Sequence, residues 1–150
     1  MSAKYGFVMM IQPKWWNEFS PHGDRKTYSY VLKGGGPPKE ASVILFYVTK
    51  PVGELSGYAE FIERKTGDPE KLWKEYGHES VLNTKEKFDE YIGEKKKASF
   101  IRFKNLRIAR KPVPLSNILL FFGVKRLARI GFYIDKETTK ELIEQMGIQT

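Results

Sequence analysis

The segment Ser42–Val48 limits the fold most strongly, because its sequence, SVILFYV, is continuously apolar and β-branched after the first residue. Such a run is typical of a central strand that is covered on both faces of its sheet. We therefore expect this segment to lie in the interior of a sheet, with other structure packed on either side.

Further β-rich runs predict about six strands in all, the others being Tyr5–Gln12, Thr27–Leu32, Leu55–Ile62, Ala98–Lys104 and Arg129–Ile134. The apolar residues Ile101 and Phe103 are odd-numbered, whereas Leu106 and Ile108 are even-numbered. A slip of one residue in this alternation predicts a bulge or tight turn near Asn105.

Helix signals lie between these strands. Asp68-Pro69-Glu70 and Asn83-Thr84-Lys85-Glu86 look like helix starts, Leu115–Phe122 is a short apolar helix ended by Gly123, and Asp135 caps a last helix. Helices and strands do not alternate regularly, which disfavours a doubly wound parallel sheet. We predict one α+β domain over residues 1–150, a small, mixed, mostly antiparallel β-barrel with peripheral helices.

Composition excludes several classes of function. The chain has no cysteine, which excludes disulfides and thiol catalysis, and His22 and His78 have no metal-ligand spacing. We predict no catalytic residue, cofactor or metal. The sequence begins without a signal-peptide pattern, and its apolar runs are too short for a membrane span. We expect a cytoplasmic protein without a membrane partner and leave its oligomeric state open.

The net charge of +8 is unevenly distributed, with +2 in residues 1–75 and +6 in the rest. Eleven bases and no acid lie between Lys95 and Arg129. Charge runs are usually solvated surface, but a block of one sign repels itself and favours a polyanion such as a nucleic-acid backbone. The sequence thus leaves both interpretations open.

Aromatic residues provide candidates for stacking on a base. Trp15 and Trp16 are adjacent, so we expect one in the core and the other at a pocket wall. Tyr28 and Tyr30 share one face of a predicted strand, which is either a stacking platform or a core face.

The chain resembles the ASCH and EVE branches of the PUA-like superfamily, and within it an archaeal group. The resemblance is carried by Phe46-Tyr47-Val48-Thr49-Lys50-Pro51, by Leu55–Phe61 with its Gly57 and Ala59, and by a late helix before Arg129-Ile130-Gly131-Phe132. It implies a PUA-like barrel with Tyr47 and Thr49 near the mouth of a pocket.

ASCH domains carry a Gly-x-Lys-x-x-Glu-x-Arg motif, and the matching stretch here is Gly23–Tyr30. Tyr28 and Tyr30 stand where the family has Glu and Arg. Because that Glu belongs to the catalytic set of the family's hydrolases, the resemblance implies binding rather than hydrolysis.

We therefore predict a module that binds nucleic acid, RNA in the first place or DNA with a modified base, through an aromatic and basic cleft. The alternative is a small amidohydrolase or nuclease acting on a nucleoside or RNA, in which Glu18, Glu54 or Glu60 would replace the Glu that the motif lacks here. A weaker alternative is a protein-interaction module around Trp73 and Phe121-Phe122. The predicted binding residues are Trp15, Trp16, Arg25, Lys26, Tyr28, Tyr30, Tyr47, Lys50, Arg102, Lys104, Arg107 and Arg129.

Overall fold

The computed structural model describes residues 4–19, 26–82 and 84–147. Within these residues, six strands form one sheet, and five α-helices pack around it. The strands are β1 (Gly6–Ile11), β2 (Tyr28–Lys33), β3 (Val43–Val48), β4 (Glu54–Gly67), β5 (Ala98–Pro114) and β6 (Phe132–Ile134). The helices are α1 (Pro13–Phe19), α2 (Pro69–Tyr76), α3 (Lys85–Ile92), α4 (Leu115–Phe122) and α5 (Lys136–Gln145).

The sheet is mixed and mostly antiparallel, as predicted, but it is not closed into a barrel. Its order is β2-β5-β4-β3-β1-β6, with β1 and β3 parallel and the other neighbours antiparallel. The predicted barrel was therefore wrong in its closure. Within the described residues, β2 and β6 form the two edges, and they do not pair with each other.

The central strands are buried on both faces, which confirms the prediction for Ser42–Val48. All six residues of β3 are buried. Ile44 and Phe46 belong to one apolar cluster together with α1, α2 and α3, whereas Leu45 and Tyr47 belong to a second cluster with α4 and α5. The alternation of side chains along a strand supplies both cores from one segment.

The predicted irregularity near Asn105 is confirmed. Asn105 has a positive φ of 54°, and the pairing of β4 with β5 shifts register between Tyr58 and Glu60. Because an extra residue enters β5 here, Ile101 and Phe103 before it and Leu106 after it all face the same core.

The helix-start signals are confirmed where the structure describes them. The side chain of Asp68 accepts a hydrogen bond from the backbone N–H of Lys71, and Thr84 and Asp135 cap α3 and α5 in the same way. Asn83 of the second predicted start lies outside the described residues.

Candidate functional site

Three adjoining hollows lie around the loop between α4 and β6, and we refer to them together as the basic cleft. The first and second share Met10 and Arg129, and the first and third share 126–128. The first, of about 290 Å³, is lined by Met10, Tyr47, Thr49, Lys50, Leu115 and 125–129. The second, of about 240 Å³, is lined by Met9, Met10, Leu32, 35–37, Arg64, Arg129 and Ile130. The third, also about 240 Å³, is lined by Phe122, Val124, 126–128 and Phe132.

The charge of this cleft has one sign. Five cationic side chains line it, and none of its described lining residues is acidic. Its walls are otherwise mostly apolar. A low-dielectric wall beside uncompensated cations strengthens the attraction for an anion. The five cations are Lys50, Arg64, Lys125, Arg126 and Arg129.

The loop that carries three of these cations begins where α4 ends at Gly123. Gly123 has a left-handed φ of 66°, and the N–H of Val124 donates to the carbonyl of Leu119 at 3.0 Å. This arrangement satisfies the last carbonyls of the helix and reverses the chain direction. The exposed residues 124–126 therefore leave the helix end toward the cleft.

A tight turn closes the same loop. The N–H of Gly131 donates to the carbonyl of Ala128 at 3.1 Å, which places Arg129 and Ile130 at the two corner positions. Gly131 has a φ of 88°, and a Cβ atom there would overlap the Val8 carbonyl and the Phe7 ring. The turn is thus packed directly against β1, and glycine is needed at this point.

Arg64 forms the opposite wall and holds the Gly34–Pro38 loop. Its Nε donates to Ser99 Oγ at 3.1 Å, and its Nη1 donates to the Pro37 carbonyl. Burial lowers the pKa of Arg64, while the nearby Tyr133 hydroxyl opposes that shift. Within the described residues, no carboxylate lies within ion-pair distance of this half-buried guanidinium. The second hollow therefore contains a cation that the fold itself does not neutralise.

Lys50 and Tyr47 reach the first hollow from the end of β3. The N–H of Thr49 donates to Ile11 O at 2.9 Å, and the N–H of Val52 donates back to Thr49 O at 3.1 Å, so Lys50 lies exposed on a turn. Tyr47 is buried beneath it, and burial raises the pKa of its hydroxyl. The hydroxyl therefore remains protonated and can donate a hydrogen bond into the hollow.

The tyrosines predicted as a stacking platform lie in the core instead. Tyr28 is 0% exposed and is stacked on Phe103, and Tyr30 is 6% exposed beside Phe19. Both point toward the same face as predicted, but α1 covers that face. Neither ring has a surface on which a base could stack in this conformation.

The adjacent tryptophans divide between core and surface. Trp16 is buried against Phe46 and Gly57, where a Cβ on Gly57 would overlap the indole. Trp15 is half-buried, lies edge-on to Tyr91 and has Lys14 Nζ 4.6 Å from its ring. Neither tryptophan lines the basic cleft.

The remaining predicted cations do not form one surface with the cleft. Lys104 and Arg107 are exposed on β5, opposite Glu60 and Tyr58, and line none of the three hollows. Lys26 is exposed before β2. Arg25, like the other residues of 20–25, among them His22, lies outside the described residues.

Arg102 is neutralised by two acids. Its Nε donates to Glu79 at 2.8 Å, and its Nη1 donates to Glu63 at 2.6 Å. Ser29 Oγ also donates to Glu79, at 2.6 Å. Burial favours a raised pKa for Glu79, but the hydrogen bonds from Arg102, Ser29 and Thr27 and the charge of Arg102 hold that pKa below its usual range. This cluster leaves Arg102 with little charge to offer a phosphate.

The structure places three of the predicted residues, Tyr47, Lys50 and Arg129, in the lining of the first hollow, whereas most other residues of the cleft were not predicted. Lys125 and Arg126 lie in the basic stretch, and their position between a helix stop and a strand marks them as loop cations. Arg64 gave no such signal, because it falls in a long strand among mixed charges.

The alternative function, a hydrolase, requires an acidic side chain in the cleft. None of the described residues lining the three hollows is Asp or Glu. A Lys–Glu pair occurs in a neighbouring hollow, where Lys4 and Glu40 lie 3.6 Å apart, but both side chains are mostly exposed. The described residues also contain no His/Cys/Asp/Glu cluster able to hold a metal, and no helix among them is long and apolar enough to span a membrane.

Comparison with solved structures shows where this architecture recurs. ASCH from Zymomonas mobilis superimposes with a TM-score of 0.75 at 19% identity, over 93% of this chain and 94% of that one. The chain has a PUA-like fold. The predicted resemblance to ASCH and EVE proteins is confirmed at the level of fold. No family model and no curated protein matches the sequence.

Two more distant structures share the fold. Rpa0253 from Rhodopseudomonas palustris has a TM-score of 0.53 at 13% identity, over 95% of this chain and 93% of that one. Human THYN1, in a complex with DNA containing 5-methylcytosine, has a TM-score of 0.51 at 12% identity, over 97% and 99% of the two chains. At these identities the similarity concerns the path of the chain, not the residues of a site.

Proposed function

We propose that this protein binds nucleic acid through the basic cleft. One observation carries the proposal: five cations line three adjoining, largely apolar hollows whose described lining residues include no acid. Cations that the fold leaves uncompensated favour a polyanion, and apolar hollows between them favour its bases. The solved complex of THYN1 with DNA gives independent support, because that protein shares the fold.

We propose a single-stranded stretch as the preferred ligand, with RNA as the preferred form. Unstacked bases can enter hollows of this size, whereas paired bases cannot. The Tyr47 hydroxyl and Thr49 supply polar groups in the first hollow that can bond a base or a ribose hydroxyl. Residues Lys50 and Arg129 lie on the rim and would neutralise phosphates.

An anisotropy titration with a short, labelled single-stranded RNA tests the proposal. If three or four phosphates are contacted, log Kd should change with log salt with a slope of magnitude about 2 to 3, measured between about 50 and 200 mM salt. Arg129→Gln should make that slope shallower by about 0.7. Lys87→Gln removes an equal charge from the exposed face of α3, away from the cleft, and should leave the slope unchanged.

Competition distinguishes the ligands. Unlabelled single-stranded RNA should displace the probe more effectively than single-stranded DNA of the same sequence or duplex DNA with 5-methylcytosine. Better competition by the modified duplex would assign the cleft to DNA instead. Absence of binding at low salt, or equal effects of Arg129→Gln and Lys87→Gln, would exclude the basic cleft as the binding site.

A further inference from the structure

Ile130 is an apolar side chain exposed at the mouth of the basic cleft. It is 73% exposed, and it lines the second hollow beside Arg129, which also lines the first. Exposed aliphatic side chains are common and usually need no explanation. Ile130 differs from Leu120, which is 82% exposed on α4, because Leu120 lines none of the three hollows.

The backbone holds Ile130 in this position. The hydrogen bond from Gly131 to Ala128 defines a turn with Arg129 and Ile130 at its corners, and Gly131 packs against Val8 and Phe7 of β1. Because β1 lies directly beneath this turn, the Arg129 and Ile130 side chains cannot become buried in the core by an inward shift of the turn. Arg129 therefore lines both hollows, and the adjoining Ile130 side chain is exposed at the second.

We propose that Ile130 inserts between two successive bases of the bound strand, so that one base enters the first hollow and the next lies over the second. This inference rests on the proposed function. Proteins that separate bases use an aliphatic side chain flanked by cations: the side chain replaces the lost base stacking, and the cations hold the phosphates on either side. Ile130 lines the second hollow together with two cations, Arg64 and Arg129.

The two hollows fit such a division. The first combines the apolar side chains of Met10, Leu115 and Leu127 with the polar groups of Tyr47 and Thr49, a lining typical of a small-molecule or base site. The second contains Arg64, whose guanidinium no described carboxylate neutralises. Ile130 lines the second hollow directly beside Arg129, the residue of the turn that lines both hollows.

Base separation can be measured apart from binding. A single-stranded RNA carrying 2-aminopurine is suitable, because stacking on neighbouring bases quenches this base. Binding of the wild-type protein should raise its fluorescence. Ile130→Ala should bind about tenfold more weakly, with an unchanged salt slope, and should give little fluorescence increase at saturation. Leu120→Ala should match the wild type within about twofold.

Each outcome decides between the two proposals. If the wild-type protein binds but Ile130→Ala raises the fluorescence equally, the insertion is wrong and the proposed function stands. If the wild-type protein does not bind, both fail. A concentration-dependent self-association that Ile130→Ala abolishes, seen by gel filtration without RNA, would assign the side chain to a protein interface and overturn the insertion.

Discussion

Arg102 and three later cations of the same acid-free stretch of sequence, Lys95–Arg129, lie in opposite environments. The side chain of Arg102 is only 18% exposed and is bonded to Glu63 and Glu79. Lys125, Arg126 and Arg129 are exposed, and no described acid lies within ion-pair distance of them. A stretch of sequence that contains no acid can therefore still lie beside acids that other segments contribute in the fold.

The difference follows from sheet pairing. Antiparallel pairing of β4 with β5 places Glu63 opposite Arg102, and the short turn after α2 delivers Glu79 from the side. The α4–β6 loop has no strand partner, so no acid is carried to it. Cations in a loop are better candidates for ligand binding than cations in a central strand, because pairing commits strand residues to fixed neighbours.

The largest effect on stability is expected at Arg102, the cation that acids neutralise. Glu79→Gln should lower the free energy of unfolding by about 2 kcal/mol, because it weakens both charge-assisted hydrogen bonds between Arg102 and residue 79 and leaves Glu63 as the remaining acid beside Arg102. Urea denaturation measures the loss, and Glu90→Gln on the exposed face of α3 is the matched control. A loss within about 0.5 kcal/mol of the control would show that the cluster contributes no net stability.

A pH titration sharpens the same point. The pKa of the Glu79 carboxyl is lower in the folded protein than its usual value of about 4.3. Its contribution is therefore fully present above about pH 5 and is lost as the pH falls through the folded pKa. The stability difference between wild type and Glu79→Gln should be constant near neutrality and shrink in acid. A difference that grows in acid would contradict the assigned direction.

The smallest effect on stability is expected in the loop. The double change Lys125→Gln with Arg126→Gln should alter the free energy of unfolding by less than about 0.5 kcal/mol, since these exposed cations have no described ion partner. The same protein should lose about 1.4 from the magnitude of the salt slope for RNA binding. A stability loss comparable to that of Glu79→Gln would mean that the two regions do not differ as described.

Local patterns in the sequence predicted most of the elements. The two-faced burial of β3, the caps at Asp68 and Asp135 and the bulge at Asn105 all follow from short-range spacing, and each is confirmed. The open sheet could not be predicted in this way, because closure depends on how edge strands approach over long sequence separations. A resemblance to a barrel family gave the path of the chain but not its closure.

The candidate site was only partly predictable, for a related reason. Lys50 and Arg129 lie in turns, where the sequence indicates an exposed position, whereas the buried Tyr47 was expected near a pocket only from the family resemblance. Tyr28 and Tyr30 alternate like surface residues, but whether α1 covers their face is a question of packing that alternation cannot answer. Arg64 could be recognised as a residue of the cleft only from the structure, which shows its contact with the Gly34–Pro38 loop.

The close packing of Gly131 against β1 has a consequence for the order in which the cleft forms during translation. Met10 and Val8 are synthesised long before Arg129. A nascent chain therefore already contains most of its cations before the residues that complete the cleft are present. Only when β6 pairs with β1 do the early and late segments meet. The cleft is thus a late product of translation, and a chain stalled within α4 would be basic without having it.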